Sequence, residues 1–322
     1  MLGSEEVPLS SRRKVYRMKI ERFGRGLGRH VSVAVVGLAL LSTPAFAQAG
    51  APLLVDVDWL SQHLKDRDLV VLQVGARPDF DAGHIPGAHL VTEDDIARPH
   101  DHSNMQDLML ELPSPEVLRT KLAALGVSDN SRLVVTVGAN QAVQSATRVV
   151  FTLDYLGLGD RTSLLNGGTA AWKRAGKPTT TEATPAVRGT LGARATKNVV
   201  VDAEFVKSIA QRPNHKLVDA RAAVFYKGIE PTMNGKSGHI PGAVNIPFSQ
   251  ITDNAAMISR ERVAALFQDA GIKAGDSIVA YCHIGQQATA VVFAARLLGY
   301  PVVLYDGSFQ DWAMNNRGAV EK

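Results

Sequence analysis

The chain has 322 residues, enough for one large domain or two of ordinary size, with 35 Lys and Arg against 31 Asp and Glu. The basic excess lies in the first 47 residues, which hold 8 basic and 3 acidic side chains, so the rest carries 27 basic against 28 acidic ones. This balance leaves no basic stripe, and we expect no nucleic-acid partner.

The N-terminal segment has the layout of a cleavable secretory signal peptide. Basic residues are concentrated in 12–29, an apolar run follows over 31–41, and Ala45-Phe-Ala47 matches an A-x-A cleavage site. The apolar run is shorter than the roughly 20 residues that span a bilayer, so we expect cleavage and no stable membrane insertion afterwards. Met1 and Met18 both stay open as the initiator. The sequence therefore predicts a periplasmic or secreted protein.

An internal duplication divides the remaining chain into two similar halves. Gly83-His-Ile-Pro-Gly-Ala88 recurs as Gly238-His-Ile-Pro-Gly-Ala243, and each half closes on a similar block that ends in Trp172 or Trp312. Because both halves carry the histidine and the tryptophan, we assign the histidines to turn structure and the tryptophans to core packing.

The segment between the halves is rich in Thr, Pro, Gly and Ala, a composition that builds no core and is typical of a linker. We therefore predict a signal peptide over 1–47, a first domain over 48–176, a linker over 177–197 and a second domain over 198–322. Within each half, strand-like runs alternate with helical ones. This alternation predicts an α/β fold in which a mostly parallel central sheet carries helices on both faces.

Cys282, the only cysteine of the chain, directly follows a predicted strand over 277–281 and precedes a predicted helix over 287–298. In such a strand-to-helix loop, backbone N–H groups converge without partners and the helix dipole adds positive charge. Both effects favour the thiolate, which is the nucleophilic form. A small buried hydrophobic side chain is the alternative interpretation. Cysteines in an oxidising compartment normally pair as disulfides, so a single unpaired one favours the interpretation as a reactive thiol.

These features together resemble the tandem-rhodanese-domain sulfurtransferases, that is, the thiosulfate/3-mercaptopyruvate sulfurtransferase family. The matching residues are the repeated Gly-His-Ile-Pro-Gly-Ala motif, Asp219-Ala-Arg221, the Tyr281-Cys282 loop and the block Tyr305-Asp-Gly-Ser-Phe-Gln-Asp-Trp312. The resemblance covers Pro52 to Arg317. It implies two rhodanese-like domains, of which the first is catalytically silent, because its corresponding loop Gly138-Ala-Asn-Gln-Ala-Val143 has no cysteine. That domain is expected to pack against the second and to wall one side of the cleft.

The resemblance also implies a chemistry. Cys282 would take a sulfur atom from a small donor, thiosulfate or 3-mercaptopyruvate, and hold it as a persulfide until a thiol or cyanide acceptor removes it. We expect no organic cofactor and no metal. Ala288 stands where rhodanese-like phosphatases and arsenate reductases carry an arginine, which argues against phosphoryl or arsenyl transfer.

The loop residues do not select between the two donors. The loop residues after the cysteine match neither the cationic pattern of the thiosulfate-preferring members nor the small polar pattern of the mercaptopyruvate-preferring ones. Phe225 stands where the family usually presents a second anion-binding arginine. The active-site loop consists of His283, Ile284, Gly285, Gln286, Gln287 and Ala288.

Four side chains are candidates for binding the anionic group of a donor: Arg221, Lys227, Lys236 and a protonated His283. For Arg221 a structural role, in which it pairs with a carboxylate at a strand end, is favoured over contact with the substrate. Asp219 is expected to support the site by accepting hydrogen bonds that shape the loop.

Two other classes of function stay open. An exported persulfide carrier, which delivers sulfur with little turnover, would use the same thiolate. A pair of degenerate binding modules is disfavoured by the cysteine at the strand end.

Overall fold

Two copies of one α/β unit make up the part of the chain that the computed structural model describes, namely residues 51–101, 103–104, 106–185, 187–209, 212–232 and 235–322. The predicted signal peptide over 1–47 lies outside these residues. The boundaries predicted for the domains and the linker stay predictions. Within the described part of 177–197, only a bridge between Thr180 and His84 has a regular strand-like pairing.

The first copy is built around a five-stranded sheet. Its strands are β1 (Leu54–Val55), β2 (Leu69–Val74), β3 (Ala88–Val91), β4 (Arg132–Val137) and β5 (Thr162–Leu165). Its helices are α1 (Val57–His63), α2 (Arg77–Asp81), α3 (Glu93–Ile96), α4 (Pro115–Ala124), α5 (Val143–Tyr155) and α6 (Gly168–Arg174), with a 3₁₀ turn over Gly159–Arg161. The strand order is β1-β5-β4-β2-β3, and every pair is parallel.

The second copy repeats this plan. Its sheet strands are β6 (Val200–Val201), β7 (His215–Asp219), β8 (Val244–Asn245), β11 (Ser277–Tyr281) and β12 (Val302–Tyr305), with a hairpin of β9 (Thr252–Asp253) and β10 (Ala256–Met257). Its helices are α7 (Ala203–Ile209), α8 (Ala223–Tyr226), α9 (Phe248–Ile251), α10 (Arg260–Asp269), α11 (Ala288–Leu298) and α12 (Ser308–Met314). The order β6-β12-β11-β7-β8, again all parallel, confirms the predicted fold class and the duplication.

Equivalent residues of the two copies support equivalent turns and cores. His84 stacks on Phe80 with ring centroids 3.8 Å apart and bonds the carbonyl of that residue, and His239 does the same with Tyr226 at 3.8 Å. Trp172 and Trp312 are buried. The structural roles predicted for the histidines and the tryptophans are therefore confirmed by their packing.

A single hydrophobic core joins the copies across α5 and α11. Both helices are buried over most of their length, α5 over 146–154 and α11 over 288–295. Val150 of α5 and Phe293 of α11 lie in the same buried cluster, and the Oγ1 atoms of Thr147 and Thr289 are 2.8 Å apart across the junction. The described residues from 51 to 322 accordingly belong to one compact unit.

Each copy also extends a segment onto the closing turn of the other. The amide of Met257 in the second copy donates to Asn166 Oδ1 of the first at 2.9 Å, and the amide of Leu112 in the first donates to Asp306 Oδ2 of the second at 3.1 Å. Asn166 and Asp306 follow β5 and β12, the equivalent strands. The junction is therefore an approximate two-fold exchange of loops.

No helix in the described ranges is long and apolar enough to cross a membrane.

Because one core spans both copies, Phe293→Ala should lower the free energy of unfolding of the whole unit by about 3–5 kcal/mol. The control Phe80→Ala changes the same side chain inside a cluster that belongs to the first copy alone. Calorimetry should show one transition for both variants, shifted to lower temperature. Two separate transitions, with Phe293→Ala moving only one of them, would contradict a shared core.

Candidate active site

Cys282 lies at the carboxyl end of β11, and its side chain is fully buried. Its backbone N–H donates to the Oγ atom of Ser308 at 3.2 Å, which fixes the strand end against the start of α12. The backbone N–H groups of Ile284, Gly285 and Ala288 donate to its sulfur atom. Three amides of one loop thus converge on a single sulfur.

Burial acts against these amides. It raises the pKa of the Cys282 thiol above the usual range, while hydrogen bonds from Ala288, Ile284 and Gly285 lower this pKa and the negative charge of Asp219 raises it. The resulting direction is upward. The amides thus lower this pKa as expected, but burial outweighs them, and sequence analysis did not take complete burial into account.

The shape of the loop depends on a glycine. Gly285 has φ of 82°, in the left-handed region. A Cβ atom placed there would lie 2.6 Å from the carbonyl oxygen of Asp306 and 2.8 Å from its Oδ1 atom. Only glycine fits this close approach, which brings the loop against the turn after β12.

His283 points its ring at Phe225, with centroids 4.7 Å apart in an edge-to-face arrangement. Burial and the positive charge of Arg221 lower the pKa of His283 to about 4. The imidazole is therefore neutral at neutral pH. The prediction of a protonated His283 that holds an anion is wrong, because a half-buried imidazole beside a guanidinium loses its proton first.

Arg221 and Asp219 form a buried ion pair at the end of β7. Both side chains are fully buried; Arg221 Nε lies 3.0 Å from both carboxylate oxygens, and Nη2 lies 2.5 Å from Oδ2 and 2.7 Å from the carbonyl of Gly238. The guanidinium also lies 3.9 Å from the ring centroid of Phe309. Arg221 thus has the carboxylate partner that its favoured structural interpretation requires.

Asp219 also bonds the side chain of Tyr281, the residue before the cysteine. The Tyr281 hydroxyl in turn accepts from the amide of Ile240 at 3.1 Å. Through these bonds Asp219 supports the strand end that carries Cys282, and the charge of Arg221 is held beneath the loop.

The two lysine candidates lie apart from this pair. Lys227 is exposed at the end of α8, and Lys236 donates to the side chain of Asn316 at 2.8 Å. In the described ranges no hydrogen bond joins either lysine to the Cys282 loop. Their role in binding a donor stays a prediction.

A cleft of about 570 Å³ lies where the loop meets the first copy. Gln286 bridges its walls, since its Nε2 atom donates to Glu93 Oε1 at 2.8 Å. Residues of both copies line the cleft: Glu93, Asp94, Ala97, Arg98, Pro99, His100, Met109, Leu110, Lys121, Ile284 and Gln286. The first copy therefore walls the cleft beside the cysteine loop.

The corresponding loop of the first copy is held by the second copy at one end. The amide of Val143, at its end, donates to the carbonyl of Asn254 in the β9–β10 hairpin of the second copy at 2.9 Å. Asn140, within that loop, bonds Asp79 of its own copy. This loop has no cysteine, and its residues Ala139 and Asn140 are exposed.

Sequence analysis missed three residues of the site. Ser308 accepts from the Cys282 amide, and Asp306 packs on Gly285. Arg148, from α5 of the first copy, bonds both Asp306 and the loop carbonyl of Gly285. The residues around Arg148 are a mixture of polar and apolar side chains, so the local pattern did not predict its burial.

Within the described part of the chain, no group of three His, Cys, Asp or Glu side chains is arranged to hold a metal ion.

Comparison with known proteins agrees with this geometry. The rhodanese-like domain family matches residues 56–175 and 202–315. The chain is 34% identical over 272 residues to the 3-mercaptopyruvate sulfurtransferase of Rattus norvegicus, covering 83% of this chain and 87% of the relative. It is 31% identical over 280 residues to the thiosulfate sulfurtransferase of Gallus gallus, covering 83% and 95% respectively.

Solved structures share the architecture. A 3-mercaptopyruvate sulfotransferase from Escherichia coli matches with a TM-score of 0.68 and 27% identity, over 80% of this chain and 99% of that one. An anaerobic ergothioneine biosynthesis enzyme from Chlorobium limicola matches with a TM-score of 0.73 and 20% identity, over 84% and 70%. At that identity the second likeness concerns the fold alone.

The neutral state of His283 can be tested by following the histidine signals in an NMR titration, with His283→Gln to assign the signal. Because the folded protein holds this pKa at about 4, below the usual value, the signal should stay that of a neutral ring down to pH 5. A midpoint between about 6 and 7, the range of an exposed histidine, would contradict the burial argument.

Proposed function

The chain belongs to the tandem-rhodanese-domain sulfurtransferase family, and from this premise we propose that Cys282 carries sulfur as a persulfide from a small donor to a thiol or cyanide. One observation carries the proposal: the backbone amides of Ile284, Gly285 and Ala288 converge on the sulfur atom of Cys282. Amides held in this way stabilise an anion on sulfur, and their orientation costs nothing during the reaction.

In the first half-reaction the Cys282 thiolate attacks the outer sulfur of the donor. With thiosulfate, the new S–S bond forms as the old one breaks, and sulfite leaves with the electron pair. With 3-mercaptopyruvate, the C–S bond breaks, and the enolate of pyruvate leaves and takes up the proton of the transferred thiol. Either donor leaves a persulfide anion on Cys282, within reach of the same three amides.

In the second half-reaction an acceptor attacks the outer sulfur of the persulfide. Cyanide leaves as thiocyanate, and a thiolate leaves as a persulfide of its own, while Cys282 recovers its thiolate. The amides serve the enzyme twice, because the reacting sulfur is an anion before and after each transfer. Two half-reactions that share one covalent intermediate predict ping-pong kinetics.

The charges around the site favour no single donor. Arg221 supplies a positive charge beneath the loop, but Asp219 neutralises it at 2.5 Å. His283 is neutral, and Phe225 packs against its ring. We propose thiosulfate and 3-mercaptopyruvate as the donors to compare, because the rat relative is a 3-mercaptopyruvate sulfurtransferase and the chicken relative is a thiosulfate sulfurtransferase.

A persulfide carrier with little turnover is the second candidate. Complete burial of Cys282 favours it, because a persulfide shielded from solvent is also shielded from fast acceptors. Repeated turnover with cyanide supports the enzyme, whereas stoichiometric loading and slow release support the carrier.

We also propose that the mature protein is exported. The support is the basic, apolar and Ala45-Phe-Ala47 pattern of the first 47 residues, together with a single unpaired cysteine in the chain. N-terminal sequencing of the protein from a host that secretes it should find Gln48 as the first residue. A cell-retained product that keeps the segment over 1–47 would contradict export and leave the chemistry of Cys282 unaffected.

The persulfide is tested by incubating the protein with thiosulfate or 3-mercaptopyruvate and measuring its mass. One equivalent of donor should add about 32 Da, the mass of one sulfur atom, to the peptide that contains Cys282. Sulfur transfer to cyanide should be lost in Cys282→Ser, because a hydroxyl forms no persulfide, while the melting temperature stays close to that of the wild type. Transfer that persists in Cys282→Ser, or a mass gain elsewhere in the chain, would overturn the proposal.

A further inference from the structure

Arg148 links the copy without a cysteine to the cysteine loop of the other copy. Its side chain is 1% exposed and lies on α5. Nη1 lies 2.5 Å from Asp306 Oδ1 and donates to the carbonyl of Gly285 at 3.3 Å, while Nη2 donates to the carbonyl of Leu110. One planar guanidinium thus holds a segment of its own copy, the closing turn of the other copy and the loop itself.

Gly285 is the residue of the loop whose conformation most depends on contacts from outside the loop. Its amide is one of the three that donate to the Cys282 sulfur. The amide and the carbonyl of Gly285 belong to two peptide planes that meet at its Cα atom. A glycine rotates about φ and ψ more freely than any other residue, so the angle between these planes is not fixed by the residue itself. The bond from Arg148 to its carbonyl, together with the close approach of Asp306, restricts that rotation.

Asp306 completes the arrangement. It follows β12, is 7% exposed, and accepts from the amide of Leu112 through Oδ2 at 3.1 Å. A buried carboxylate requires a cation, and Arg148 supplies it through the same Nη1 atom that bonds Gly285. The ion pair with Asp306 and the hydrogen bond to Gly285 therefore depend on the same position of the guanidinium. The planar fork of an arginine can make these bonds together with the one to Leu110, whereas the single ammonium group of a lysine cannot.

We propose that Arg148 is a positioning residue for sulfur transfer: from the silent copy, it holds the carbonyl of Gly285, and this hold, together with the packing of Asp306 on the same glycine, keeps the loop in the conformation that points the amide of Gly285 at the Cys282 sulfur. The proposal rests on the proposed function for the identity of the reacting atom. It assigns the first copy a second role besides walling the cleft, since the geometry of the catalytic loop depends on a side chain about 130 residues earlier in the chain.

The test compares two exchanges of arginine for lysine. Arg148→Lys keeps the positive charge next to Asp306 and removes the fork. The control Arg132→Lys makes the same change in a forked ion pair of the first copy, where Arg132 bonds Asp68 through Nε and Nη2 at 2.9 and 3.0 Å and bonds Asp66 at 2.5 Å. A second test variant, Arg148→Met with Asp306→Asn, removes both buried charges together and covers the case in which Arg148→Lys does not fold.

Three quantities are measured on the full chain: the melting temperature, the rate of Cys282 alkylation by iodoacetamide against pH, and the kcat and KM for sulfur transfer from thiosulfate and 3-mercaptopyruvate to cyanide. The other charged or titratable groups that face Cys282, Asp219, Arg221 and His283, stay unchanged in every variant. Alkylation does not require sulfur transfer. If the wild type transfers no sulfur, the proposed function is overturned. The alkylation profiles would still show whether Arg148 positions the loop.

Because Arg148→Lys releases one of three amides that lower the pKa of Cys282, its alkylation midpoint should rise by about one pH unit. Its kcat should fall by roughly 10- to 100-fold with the KM of each donor nearly unchanged, as for a displaced reacting group. Arg132→Lys should keep the wild-type profile and kcat even where it melts at a lower temperature. The double variant should resemble Arg148→Lys.

The proposal is overturned if folded Arg148→Lys, or the folded double variant in its place, has the midpoint and the kcat of Arg132→Lys, because Arg148 would then only stabilise the junction. A midpoint below that of the wild type also overturns it, since exposure of the sulfur, and not loss of an amide, would then dominate.

Discussion

The site depends on the competition between burial and hydrogen bonding at one sulfur atom. Cys282 is removed from water completely, which disfavours the thiolate, and three backbone amides of its own loop oppose this effect. Burial is the stronger of the two. Under the proposed mechanism, the amides support the anion that forms as charge develops on sulfur, and they do not ionise the resting thiol.

Holding three amides on one atom places demands on the whole unit. The loop must leave a parallel strand, turn through a glycine in the left-handed region and enter a helix within six residues. Each of these steps is fixed from outside the loop: Ser308 holds the amide of Cys282, Asp306 packs on Gly285, and Asp219 supports Tyr281. The duplication supplies further support, because the two copies share a core and exchange segments over their closing turns.

That exchange distinguishes the two copies. In the first, a hairpin carbonyl of the second copy binds the end of the loop that corresponds to the cysteine loop. In the second, the segment around Leu112 binds the closing turn, and the cleft beside Gln286 stays open. The two equivalent loops thus have different surroundings: the hairpin holds the end of the first, and the second, which carries the cysteine, borders a cleft.

Much of this could be predicted from the sequence, because the signals are local. Residue periodicity gave β11 with the bounds later observed and α11 to within one residue, and the repeat predicted a second copy of the same sheet order. Open parallel sheets bind their ligands beyond the carboxyl ends of the strands, and this rule singled out Cys282 as the candidate residue. The tertiary structure alone decided its complete burial, the neutral state of His283 and the contact of Arg148 with Gly285. All three features depend on how far a group is removed from water and on contacts between side chains that are distant in the sequence. Neither can be predicted from the local pattern of residues.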